Sequence, residues 1–291
     1  MIDVENALFP SPEGAADGGR PAGAAAVAAS ILAGEAVAGL ALPARGARII
    51  EASLALFADR GFDATTIPEI AAAAGVGAGT IYRYFETKEA LGNAVWQTAK
   101  RALAAAVAPV FLTAAPADAG DPWSGLPFEA RRVLDCRARF LALWQAGGGF
   151  ARDWPAAFRF LEFHHEPRFL DRASLRLSEQ VMAPILGFIA DGQAQGVLAP
   201  LAPQVLTALV WGALSGLVRE TVIAGRPLSK DLLSASGATL WRALVVPRYA
   251  GLLPPGDPHA FAPDSPFPDS PALNTPALNT PAKPTPAKPE E

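Results

Sequence analysis

Apolar residues recur at intervals of three and four from about Ala44 to Val246, and no stretch alternates with period two for long. That spacing gathers apolar side chains on one stripe of a helix and gives a strand no face to bury. The pattern predicts an all-α protein of about nine helices. They span Ala44 to Arg60, Ile67 to Ala74, Ala78 to Phe85, Lys88 to Leu112, Glu129 to Ala146, Asp153 to His165, Phe169 to Gln195, Pro203 to Ala224 and Ser229 to Val246. Residues 1–43 lack this periodicity and read as a disordered extension with at most a weak helix from Ala24 to Leu40. From Pro247 to Glu291 the chain is Pro-rich, with PALNT PALNT and PAKPT PAKPE near-repeats, and reads as an extended or disordered tail. The loop Thr113 to Pro127, rich in Pro, Gly and Asp, separates a small helical unit, whose folded part is drawn as 44–91, from a larger one drawn as 92–246.

Composition narrows the function classes. A net charge of −4 and a pI near 5.5 exclude a uniformly basic coat, so any nucleic-acid contact rests on a small patch. Cys136 is the only cysteine, which leaves no intrachain disulfide and no thiolate metal cluster and fits a reducing, cytoplasmic setting. Pro21 to Leu42 follows an acidic start and makes a poor signal peptide. Val205 to Val218 meets Arg219 and Glu220 before reaching the roughly 18 residues of a spanning helix, so no membrane partner is expected.

The most informative stretch runs from Arg45 to Leu91. Ile50, Leu54 and Phe57 share one helix face, and Gly61 supplies a left-handed stop after Arg60. Thr66 followed three residues later by Glu69 forms a capping box, with Pro68 tolerated in the first turn. Gly75, Val76 and Gly77 then make a three-residue turn with one apolar plug, the geometry of a helix-turn-helix. In the helix that follows, Ile81 and Phe85 turn inward while Thr80, Tyr82, Arg83 and Tyr84 take the more exposed sides; the alternative is that the tyrosines are half-buried core. Small residues at Gly77, Ala78 and Gly79 let the helix sink its N-terminal end into a major groove. Thr87 caps the next helix, and Lys88 in its first turn opposes the macrodipole preference, which a nearby phosphate would explain.

Phe57, Gly61, Phe62, Thr65, Thr66, Ile70, Ala71, Ala74, Gly75, Val76, Gly79, Thr80, Ile81, Tyr82, Tyr84, Phe85, Lys88, Glu89 and Leu91 together resemble the N-terminal pattern of the tetracycline-repressor (TetR) family. Two positions depart from it: Gly77 stands where the family has Ser, and Ala78 where a basic residue is common. The resemblance implies a three-helix DNA-binding domain in which Thr66, Thr80, Tyr82 and Lys88 touch phosphates while Ala78, Gly79 and Arg83 face base edges. Arg83 could read guanine through its fork, and Arg45 and Arg48 add phosphate contacts or are solvated surface charges. From Arg45 to Arg101 seven basic residues face six acidic ones. A unit so nearly neutral should bind one half-site weakly, which predicts a homodimer on a palindromic double-stranded operator.

The resemblance further implies that the C-terminal helices bind a small effector and that the last two build a dimer. Ala208, Gly212 and Gly216 recur every four residues, and with Leu240, Trp241 and Leu244 they form the expected dimer face, an intrachain core contact being the alternative. The expected effector residues are Trp144, Trp154, Phe158, Leu161, His165, Met182, Phe188 and Trp211. An apolar or aromatic ligand would suit them beside a helix kinked at Pro184, and ordinary aromatic core is the competing view. His164 and His165 point about 100° apart on a helix, so no metal site is expected. No cofactor is implied. The chain has no glycine-rich phosphate loop after a strand, no nucleophile elbow and no HExxH, so it is not expected to be an enzyme. The expected function is a ligand-released transcriptional repressor; the alternatives are a ligand-independent DNA-binding adaptor or nucleoid protein, and a helical enzyme.

Overall fold

A computed structural model describes residues 44–112, 123, 125–163 and 169–252. The expected weak helix at Ala24 to Leu40, most of the expected Thr113 to Pro127 loop, and His164 and His165 lie outside these residues. Ten helices follow in order: α1 (Ala44–Arg60), α2 (Ile67–Ala74), α3 (Ala78–Tyr84), α4 (Lys88–Val107), the short α5 (Pro109–Leu112), α6 (Phe128–Asp153), α7 (Pro155–Phe163), α8 (Arg172–Ala194), α9 (Pro203–Ile223) and α10 (Lys230–Leu244). The described residues contain no strand beyond one antiparallel bridge between Leu198 and Val245.

The local devices act at the helix ends. Gly61 and Gly75 adopt φ of 85° and 64°, a conformation that costs a residue with a Cβ and not glycine. Thr66 and Glu69 form the reciprocal capping box, and the Thr87 hydroxyl accepts from the Ala90 N–H at 3.0 Å. Gly77 caps α3 without a side-chain bond.

Packing crosses the boundary drawn between the two expected units. The described residues all fall within one compact unit. α4 is continuous across the boundary drawn at 91/92, and α1 packs along α7, with Phe57 and Phe160 stacked 5.7 Å apart. Phe62 stacks on Phe169 at 4.3 Å directly against Gly92 of α4. A Cβ at Gly92 would lie 2.6 Å from the Phe62 ring and 3.2 Å from that of Phe169, two rigid partners at once. Gly92→Val is therefore expected to destabilise the fold by about 2 kcal/mol net of improved helix propensity, read as a lower urea midpoint.

Two further expectations are corrected. α6 does not stop at Ala146 but runs through Gly147–Gly149 to Asp153; two of these glycines make room for neighbouring helices, since a Cβ on Gly148 would sit 2.4 Å from a Leu233 methyl of α10 and one on Gly147 3.2 Å from a Leu214 methyl of α9. The chain also stays ordered past Pro247. Pro247–Tyr249 form a 3-10 turn, the Tyr249 hydroxyl donates to Glu129 at 2.8 Å, and Leu252 packs on the core.

Candidate nucleic-acid interface and cavity

α3 carries most of the residues expected to face DNA. Of its seven residues only Ile81 is buried, fully so, in the core shared with α1 and α2. Tyr82 is 53% exposed and Arg83 projects to solvent, while Thr80 and Tyr84 are half-buried. Ala78 and Gly79 at its start are exposed, and a Cβ on Gly77 or Gly79 would meet nothing within 4 Å. The helix's leading end is thus unobstructed. Arg45 and Arg48 are exposed on the first turns of α1.

Two residues given phosphate roles have partners within the chain. Thr66 donates from both its backbone N–H and its hydroxyl to the Glu69 carboxylate at 2.8 Å, which holds that carboxyl below its usual range. Lys88 reaches back to donate to the Asp63 carbonyl at 3.3 Å, its Nζ 4.4 Å over the Phe62 ring. No phosphate is needed to account for a lysine in the first turn of α4.

Beneath α4 lies a cavity of about 420 Å³ lined by residues of α4, α6, α7, α8, α9 and α10. Trp144, Leu161, Met182, Phe188 and Trp211 line it. α8 runs through Pro184, and Met182 and Ile185 on either side of that proline face the cavity. Phe158 is fully buried behind the wall, its ring 5.7 Å from that of Trp211. Trp154 is corrected: it ends α6 instead of continuing the stripe of α7, and at 57% exposure it stands in solvent away from the cavity. The wall also includes Lys100, Glu162, Ser178 and Thr207, which sequence reasoning missed. The available signal was Lys100 itself, set among Trp96, Leu103 and Val107 on the apolar side of one helix.

Burial pushes Lys100 down to about 8 despite the Glu162 charge nearby, and pushes the Glu162 carboxyl up. The Trp211 indole N–H donates to Glu162. Also missed was Asn93, a buried amide tying α4 to the start of α8. It donates to the Phe169 carbonyl at 2.6 Å and accepts from the Asp171 N–H at 2.9 Å and the Ser174 hydroxyl at 2.6 Å. Burial raises the Cys136 thiol to about 12, which leaves it unreactive at neutral pH. Among the described residues no group of three or more His, Cys, Asp or Glu could hold a metal ion.

The expected dimer face divides. Trp241 and Leu244 are corrected to core: Trp241 has no exposed surface and packs 5.7 Å from the Phe140 ring, and Leu244 is buried beside it. Ala208 and Gly212 are exposed, and Gly216 and Leu240 are half-buried. Cβ atoms on Gly212 and Gly216 would meet nothing within 4 Å, and Ala208 and Gly212 also border the cavity. Val205 and Leu209 extend this face as exposed apolar side chains. α9 ends within one residue of its expected end, and Pro203–Val222, a longer stretch than the Val205 to Val218 run, has the length and hydropathy of a membrane span by composition alone. Its opposite face, with Leu206, Leu214 and Val218, is buried in the protein core.

Comparison with known proteins follows this geometry. Residues 49–95 match the model for bacterial regulatory proteins of the tetR family, and residues 128–246 match the tetracyclin repressor-like C-terminal domain. A segment of 44 residues is 54% identical to the uncharacterized HTH-type transcriptional regulator YerO of Bacillus subtilis strain 168; it spans 15% of this chain and 15% of that protein's length. Crystal structures of a candidate tetR family transcription regulator from Shewanella sp. PV-4 and a TetR family transcription regulator from Marinobacter aquaeolei VT8 share the fold. They give TM-scores of 0.54 and 0.55 at 23% and 21% identity, covering 70% and 69% of this chain and 100% and 95% of theirs. With an N-terminal and a C-terminal segment both matched, the chain belongs to the tetR family of bacterial regulatory proteins.

Proposed function

We propose that the protein is a homodimeric transcriptional repressor that binds a palindromic operator through α3 and is released from it by a small apolar ligand in the cavity beneath α4. The observation that carries the reading is the exposed Tyr82–Arg83 face of α3, held from behind by the fully buried Ile81. Tyrosine hydroxyls and the exposed Arg45 and Arg48 position the protein on phosphates; Arg83, with its planar fork, reads a base edge. Two copies pair through the Val205, Ala208, Leu209 and Gly212 face of α9 together with the exposed side of α10, where Leu232 projects. The dimer then sets two α3 helices one DNA turn apart, about 34–36 Å.

Release follows from the continuity of α4. Lys88 at one end contacts the Asp63 turn that leads into α2, and Lys100, Leu103 and Val107 at the other end line the cavity. A ligand that favours a different position of α4 changes the spacing of the two α3 helices and weakens operator binding by its differential affinity for the two states. The cavity volume lies within the usual range for small-molecule sites, about 300–1,000 Å³. Its mostly apolar wall favours this reading over a ligand-independent adaptor.

Selection of bound duplexes from a randomised library at near-physiological salt tests the reading. A palindromic consensus with half-sites about one helical turn apart is expected. Absence of any enriched sequence contradicts it. Arg83→Ala should lower affinity by about 1–3 kcal/mol at the preferred site and relax the preference at one base pair of each half-site. An equal loss on every duplex would refute its base-reading role.

A further inference from the structure

The cavity wall is mostly apolar, and its charged residues are Lys100 of α4 and Glu162 of α7, the latter hydrogen-bonded to Trp211 of α9. The two charges are not equivalent. Glu162 already has a donor, since the Trp211 indole N–H donates to its carboxylate. Lys100 makes no hydrogen bond and no salt-bridge contact among the described residues; its Nζ lies 5.3 Å from the centroid of the Trp96 ring one turn earlier. An ammonium carries three donors, and at half-buried Lys100 the described residues fill none of them.

We infer that Lys100 is the recognition group for an anionic end of the effector, a molecule whose apolar body fills the cavity and whose carboxylate, or comparable anion, pairs with the ammonium. The inference rests on the reading of this cavity as the effector site and adds the ligand's chemical class. Desolvation by the wall, which weakens the ammonium's hold on its proton, makes an arriving anion more valuable there than in water. Leu103, Trp144, Met182 and Phe188 supply the apolar contacts. Because Lys100 stands on α4, the ion pair forms on the helix that leads to the DNA-reading unit.

The test is a titration of the full chain with decanoate, decan-1-ol and decylamine. These probes share a body and differ only in the head group, and Trp144 and Trp211 fluorescence reports the binding. Decanoate should bind about tenfold to a hundredfold more tightly than decan-1-ol. Lys100→Met should remove that advantage while still binding decan-1-ol, which shows that the variant folds and keeps its cavity, and Lys100→Arg should retain the preference. Equal binding of acid and alcohol, preference for the amine, or an unchanged acid preference in Lys100→Met would each overturn the inference. Failure of all three probes to bind the folded protein would instead count against the cavity as the effector site, and the inference would fall with it.

Discussion

Replacing Ile81 by alanine is expected to cost operator binding heavily while removing no atom that faces the DNA. α3 has seven residues, too few to hold a helix by backbone hydrogen bonds alone, so its position depends on side-chain anchorage. Ile81 is its one buried side chain, with Phe85 just past the end and Val76 in the turn before it assisting. Truncating a buried isoleucine costs about 2–5 kcal/mol through lost burial and an unfilled space. Here most of the cost falls on the seating of α3, because α1 and α2 keep their own contacts through Ile49, Phe57 and Ile70. The loss corresponds to about thirtyfold or more in affinity, measured by fluorescence anisotropy on a selected operator. Circular dichroism should show nearly unchanged helix content. Operator affinity equal to that of the parent protein would mean that α3 is not the reading element.

Leu209→Arg is expected to abolish the dimer without disturbing the protomer. Leu209 is 51% exposed and does not line the cavity, so in a single chain its replacement points into water. In the proposed dimer the same guanidinium is enclosed among Val205, Ala208 and Gly212 of two α9 helices with no partner charge, and an unpaired buried charge costs several kcal/mol. Sedimentation should show monomers at concentrations where the parent protein is dimeric. Binding to the palindrome should fall to the level of a half-site. A Leu209→Arg protein that remains dimeric would place the interface elsewhere.

Much of the DNA-reading unit is legible in the sequence because its determinants are local. Gly61 and Gly75 announce left-handed positions, Thr66 with Glu69 a capping box and Thr87 a cap, and each interaction closes within a few residues. The C-terminal features are less legible because they depend on which helix lies opposite. Gly147 and Gly148 read as a break, yet they sit inside α6 where Leu214 and Leu233 come close. Trp241 and Leu240 are neighbours in sequence, but Trp241 meets Phe140 inside the core while Leu240 is only partly covered. Trp154 belongs to the apolar stripe only if the helix is continuous; the chain turns there instead, at the Pro155 start of α7. Lys88 shows the same limit, since its contact with the Asp63 carbonyl lies 25 residues away in sequence.

The central claim is that two copies of α3 act together on one operator. The most direct measurement compares the selected palindrome with a duplex carrying a single half-site, at one salt concentration, while counting protomers bound by mass. The account predicts two protomers on the palindrome, and binding at least about a hundredfold tighter than to the half-site, because the near-neutral reading unit gains little affinity from phosphates alone. One protomer per duplex with equal affinity for both DNAs would contradict it.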